Sequence, residues 1–170
     1  MQKDIGKGMK YLCMFVLGFC IGMWAAPAHA SDENGDAFCL AQNIYFEAGN
    51  QPLAGKVAVA NVVMNRVNSE LFPDNVCDVI YQAKLRENWK GNMVPKYGQC
   101  QFSWYCDGKS DDPKDSKTWI SSYQIANQFL QTPPFDLTEG ALWYHADYIF
   151  PYWAQHLNET VQINNHIFYK

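Results

Sequence analysis

The chain has 170 residues, with 13 Lys and Arg against 17 Asp and Glu, a formal net charge of −4 and an aromatic content of 15%. Removal of residues 1–30 would take away three lysines and one aspartate and move the charge from −4 to −6. What is left has the size of one small domain with one core, and an acidic chain without a basic run is excluded as a dedicated nucleic-acid binder.

Lysines at 3, 7 and 10 precede the apolar run YLCMFVLGFCIGMW (11–24), and APAHA stands before the polar SDENGD. This order of basic, apolar and small-residue segments predicts a signal peptide over 1–30, cut after Ala30. The alternative is an uncleaved anchor, but the apolar run falls short of the ~20 residues a spanning helix needs. Phe19 stands where a lipid-modified Cys20 would require a small residue. Residues 31–170 are therefore expected to be an exported domain, periplasmic or secreted, acting as a monomer and touching a membrane only through an uncleaved N-terminal segment.

DAFCLAQNIYFEAG (36–49) places Phe38, Leu40 or Ala41, Ile44, Tyr45 and Ala48 at helical spacing, with Asp36 as cap and Gly49 as terminator. Glu47 then falls in the last helical turn. NQPLAGKVAVANVVMNRVNS restarts with Pro52 near the first helical position and reads as a buried central helix. FPDNVCDVIYQ offers a turn at Pro73–Asn75 and a short helix through Val76, Val79, Ile80 and Tyr81. Residues 83–118 read as loop, with the tight aromatic segment GQCQFSWYC inside. A further amphipathic helix covers 117–131 and stops at Pro133 and Pro134. GALWYHAD and VQINNHIFYK are two short strand-like runs. The expected fold class is α+β, mainly helical with a small β element near the C-terminus.

Four cysteines remain after cleavage, and an even count in an exported domain implies disulfides. Of three possible connectivities, Cys39 with Cys77 and Cys100 with Cys106 is the expected one. The first closes a loop of 38 residues, removing ~4 kcal/mol of unfolded-chain entropy, and the second, much shorter, ~2.5. No C-x-x-C pair supports a four-cysteine zinc site.

A carboxyl at a helix C-terminus opposes the local dipole, and Tyr45, Phe46 and Ala48 can strip it of water. Both effects raise its pKa, as a glycosidase requires of a general acid. A solvated glutamate near a helix end is the competing reading.

IYFEAGNQPLAGKVAVANVVMNRV, FPDNVCDVIYQ, CQFSWYCDGKSDDP, GALWYHADYIFPYWA and NNHIFYK, in this order and spacing, resemble the SleB/CwlJ-type cell wall hydrolase family from about Cys39 to Lys170. The resemblance implies a lysozyme-like fold, peptidoglycan glycan strands as the partner, no cofactor, and Glu47 as the catalytic acid. It also implies lytic transglycosylase chemistry between N-acetylmuramic acid and N-acetylglucosamine, with Glu47 acting as acid and then as base.

The chain departs from the family's usual Glu-Ala-Arg-Gly-Glu, reading Glu47-Ala48-Gly49-Asn50-Gln51. Gln51 replaces the second acid and is expected to bind substrate through its amide. The missing arginine is expected to raise the pKa of Glu47 further.

Gln101 and Ser103 are candidates for hydrogen bonds to a sugar N-acetyl group, with Phe102 and Trp104 as a wall. Tyr144, His145 and His166 complete the substrate-binding set. Strand alternation lets only one of Tyr144 and His145 face a groove, and Tyr144 is the choice. Two other classes stay open: a zinc amidase drawing ligands from His145, His156, His166 and Glu47, and a non-catalytic peptidoglycan-binding module. The acid-rich DGKSDDPKD (107–115) leaves calcium open, although it lacks the EF-hand spacing.

Overall fold

The computed structural model describes residues 35–170; the expected signal peptide over 1–30, with its expected cleavage after Ala30, lies outside the described residues. Helix α1 (Asp36–Ala48) packs on α4 (Ser116–Gln131), α2 (Leu53–Val67) and the short α3 (Val76–Ile80). Leu40 and Ile44 of α1, Val63 of α2, Val79 and Ile80 of α3 and Phe129 of α4 meet in one buried cluster.

Two sequence details of α1 change. The N-cap is Gly35, and Asp36 is the first helical residue, where its charge meets the positive end of the helix. Gly49 keeps right-handed dihedrals, so its role is not conformational. A Cβ there would lie 2.4 Å from the Tyr45 carbonyl oxygen and 2.9 Å from Thr118 Cγ2, so the missing side chain lets the end of α1 rest against α4.

Helix α2 is the spine of the domain. One side carries Ala60 and Val63 into the helical core, while Ala58 and Val62 meet Ala141 and Phe168 on the other. Its polar residues bind the chain that leads to the C-terminal sheet. Asn61 Oδ1 accepts from Leu137 N–H, and Asn65 Nδ2 donates to Asp136, Thr138 and the Ala141 carbonyl. Asp136 in turn accepts from Thr138 and from Gly140 N–H. These bonds fix where the following strand begins.

That sheet runs in the order β3 (Trp143–Ala146), β5 (His166–Tyr169), β4 (Glu159–Ile163), all antiparallel, with Tyr144 opposite Phe168. The run expected as one strand over 161–170 is instead a hairpin, because Asn164 takes φ 51° and turns the chain between β4 and β5. The loop expected over 83–118 also contains a hairpin, of β1 (Ala83–Glu87) and β2 (Met93–Cys100). Almost none of its residues is buried, so it leaves no half-buried alternation to read.

Disulfides join Cys39 to Cys77 and Cys100 to Cys106, the expected pairing. The first ties α1 to α3; the second closes β2 onto a 3-10 turn over Ser103–Cys106.

Candidate active site

A cleft of about 860 Å³ opens where the end of α1, the end of α2, residues 100–104, the loop 107–111, β3 and the loop 148–153 converge. Glu47 and Phe46 come from α1, Arg66 from α2, and Tyr144 from β3. The Tyr144 hydroxyl donates to Glu47 Oε2 at 3.0 Å. That bond leaves Oε1 as the oxygen able to carry a proton.

Burial raises the pKa of Glu47; the Tyr144 hydrogen bond and the Arg66 charge pull it back part of the way. Burial and the neighbouring Glu47 hold the Tyr144 phenol well above its ordinary value, so it remains a donor. The groups flanking the acid are not all those expected. Phe46 lines the cleft, whereas Tyr45 turns toward α4, where its hydroxyl accepts from Lys114 and Asp115 N–H and its ring meets Trp119.

The arginine missing from the Glu47 motif was expected to raise the pKa of Glu47 further, but Arg66 supplies a cationic charge from α2 that lowers it. Its Nε donates to the Leu142 carbonyl at 2.8 Å, and its guanidinium lies 5.0 Å from the ring centroids of Phe72 and of Phe102. It is only 4% exposed, and Nη1 has no hydrogen-bond partner. Burial lowers its pKa, yet guanidinium stays protonated. Sequence reasoning missed it, although a signal was present. Arg66 falls three residues beyond Val63 and seven beyond Val59, on the buried stripe of a helix, and a cation there needs a buried counter-charge.

The other candidates divide. Gln101 and Ser103 lie exposed on one wall of the cleft. Phe102 and Trp104 are core residues that also line it; Trp104 stacks on Phe46 at 4.9 Å and donates from Nε1 to Asn43 Oδ1 at 3.0 Å. His166 is buried with Nδ1 unpartnered, and its ring meets Tyr144 edge-on at 5.1 Å. Burial pushes its pKa below the ordinary value.

Two candidates do not fit. His145 lines the cleft, but both ring nitrogens are engaged at 2.9 Å, one with the Ala146 carbonyl and one with the Tyr169 hydroxyl. It has no nitrogen left for substrate. Gln51 is not among the residues lining the cleft; it packs beside Gly55, and its amide donates to Asn50 Oδ1 at 3.2 Å. It sits beyond the end of α1, where the chain has already turned away toward α2.

Among the described residues, no three His, Cys, Asp or Glu side chains converge as metal ligands. His156 is exposed on a 3-10 turn over Tyr152–His156 and does not line the cleft. The loop at 107–115 forms part of the cleft wall through Asp107, Lys109, Ser110 and Asp111, with Lys109 paired to Asp107 at 3.1 Å. Sequence reading treated it only as an acid-rich loop.

A mainly helical domain with small antiparallel sheets and a half-buried carboxyl lining its cleft defines a lysozyme-like α+β protein. The chain belongs to the Cell Wall Hydrolase family, whose model matches residues 50–169. That match begins three residues beyond Glu47 and does not include it.

The spore cortex-lytic enzyme of Halalkalibacterium halodurans is 50% identical over 56 residues, 33% of this chain and 16% of that protein. The spore cortex-lytic enzyme of Bacillus subtilis is 49% identical over 58 residues, 34% of this chain and 19% of that protein. The alignments thus span less than a fifth of either curated relative. Among solved structures, the catalytic domain of the germination-specific lytic transglycosylase SleB from Bacillus anthracis superposes with a TM-score of 0.57 at 26% identity. The superposition covers 85% of this chain and all of that one. The catalytic domain of the Bacillus cereus SleB protein gives 0.55 at 27% identity, covering 81% and 94%.

Proposed function

We propose that residues 31–170 form an exported glycosidase that cuts peptidoglycan glycan strands as a lytic transglycosylase. The observation that carries the reading is a half-buried Glu47 on the cleft floor, its pKa raised by burial and its Oε2 held by the Tyr144 hydroxyl.

The chemistry asks one carboxyl to work in both protonation states. Glu47 gives its proton to the glycosidic oxygen as the bond from muramic C1 breaks, with the substrate N-acetyl group supporting the cationic centre. The carboxylate then takes the proton of the muramic 6-hydroxyl as that oxygen bonds to C1 and closes a 1,6-anhydro ring. Burial favours the first state. Tyr144 and Arg66 favour the second, so neither is out of reach.

The exposed Gln101 and Ser103 would hydrogen-bond sugar amides, and the unpartnered His166 Nδ1 would meet a further polar group of the substrate. The two disulfides accord with action in the periplasm or outside the cell. The zinc amidase gains no support from the geometry, since His145 is committed and His156 lies away from the cleft lining.

Mass spectrometry of soluble products from purified sacculi tests the reaction. Anhydromuramic ends are the expected result. Reducing muramic ends would make water the nucleophile, free stem peptides would favour the amidase, and bound protein with no released product would favour the binding module.

A further inference from the structure

The β1–β2 hairpin stands off the helical body. Outside itself its principal neighbour is the 3-10 turn at 103–106, to which the Cys100–Cys106 disulfide ties its base. The register places Leu85 opposite Pro95 and Glu87 opposite Met93 on one face, with Arg86 opposite Val94 on the other, flanked by Lys84 and Lys96. One face is thus largely apolar and the other largely basic.

The apolar groups face water. Leu85 is 49% exposed, Met93 61%, and Tyr97, within the irregular part of the ladder between Pro95 and Cys100, 77%. The tip is an ordered turn: Asn88 Oδ1 accepts from Lys90 and Asn92 N–H, and Gly91 takes φ 82°. That turn presents Trp89, 89% exposed, with the Lys90 ammonium 4.8 Å from its ring centroid. An indole and three long apolar side chains held in water on an ordered scaffold mark an interaction surface.

Charge narrows the partner. Residues 83–97 hold four cations and one acid, whereas the rest of residues 31–170 holds six cations and fifteen acids. An anionic surface attracts the arm and repels the body, so it is met arm first. Trp and Tyr mixed with Lys and Arg around aliphatic side chains is the composition of segments that lie at lipid headgroup level.

We infer that the hairpin docks on an anionic lipid bilayer, with Leu85, Trp89, Met93 and Tyr97 entering the headgroup boundary and Lys84, Arg86, Lys90 and Lys96 among the phosphates. Glu87, beside Met93 on the apolar face, keeps the insertion shallow. Because β2 runs directly into the cleft wall at Cys100–Trp104, docking also holds the cleft at a set height above the membrane. This inference is independent of the reaction proposed for Glu47.

The test is co-sedimentation of residues 31–170 with phosphatidylcholine vesicles, with and without phosphatidylglycerol. The matched SleB catalytic domain is a solved structure in its own right, so this portion is suited to study alone. Wild-type protein is expected to sediment with phosphatidylglycerol vesicles, less so as salt rises, and about tenfold more weakly with phosphatidylcholine alone. Trp89→Ser and, separately, Lys84→Glu with Lys96→Glu are each expected to weaken binding about tenfold, with circular dichroism and thermal melting unchanged. Absence of sedimentation with phosphatidylglycerol vesicles would overturn the inference, as would binding that neither variant weakens. A Trp89-dependent dimer that ignores vesicles would assign the arm to a second copy and equally overturn it.

Discussion

The cleft floor and the β1–β2 hairpin invert the usual distribution of residues in opposite ways. At the floor, Glu47, Arg66, Tyr144 and His166 carry polar groups into a buried setting; on the hairpin, Leu85, Trp89, Met93 and Tyr97 carry apolar groups into water. Each inversion has a cost in stability, and each falls where a partner would relieve it. The floor is built where α1 and α2 meet β3 and β5 and suits a small, charged reaction centre. The hairpin is built on a two-stranded arm and suits a broad, soft surface.

The comparison breaks most sharply at Glu47. Glu47→Gln keeps the shape and removes the proton, so turnover of sacculi is expected to fall by ~10²–10⁴ while binding remains. The same variant is expected to be more stable at neutral pH. A carboxyl whose folded pKa is raised adds no penalty below its unfolded value and an increasing one as pH rises toward the folded value. The gain in melting free energy is then present near neutral pH and vanishes in acid. Thermal melts across pH check it.

Tyr144→Phe removes the hydrogen bond that lowers the Glu47 pKa. Activity is expected to fall ~10–100-fold, the worth of a hydrogen bond to a charged group. The alkaline limb of the pH–rate profile, where the acid loses its proton, is expected to move up. Arg66→Met is expected to move that limb the same way by a smaller step and to destabilise the fold by ~1–3 kcal/mol through the lost bond to Leu142. Arg66→Lys keeps the charge and should leave the limb nearer its original place. A limb that stays fixed in Arg66→Met would remove Arg66 from the electrostatics of the site.

Away from the cleft, Asp136→Ala tests the loop that starts β3. Burial opposes ionisation of Asp136, but hydrogen bonds from Thr138, Asn65 and Gly140 outweigh it and hold its pKa below the ordinary range. Its contribution is present above the unfolded pKa and disappears as pH falls through the folded one. A loss of ~1–3 kcal/mol in denaturant melts near neutral pH is expected. The smallest effect is expected from Gln51→Glu, less than about twofold in rate, because Gln51 lies outside the cleft lining.

What the sequence made legible follows burial. Helices α1, α2 and α4 show their apolar periodicity because each packs a face on the core, whereas the caps Asn75 and Asp115 were not read as such from the sequence. Glu47 was readable because a helix end fixes a direction; strand alternation was a poorer guide, since His145 lines the cleft as Tyr144 does, and it is the engaged ring nitrogens of His145 that set the two apart. The β1–β2 hairpin was not, since a strand exposed on both faces has no pattern that burial imposes. Gln51 was misplaced because sequence proximity to Glu47 does not survive the change of direction between α1 and α2. Arg66, nineteen positions from Glu47 in the chain, becomes its neighbour only once the two helices pack.

The most direct test of the account is a carbon-13 NMR titration of the glutamate side-chain carboxyls in residues 31–170, with Glu47→Gln to assign the resonance. One carboxyl titrating above the usual glutamate range, absent in Glu47→Gln and moving higher in Tyr144→Phe, is the predicted result. A Glu47 resonance that titrates in the ordinary range would contradict the claim that burial keeps this acid ready to donate its proton.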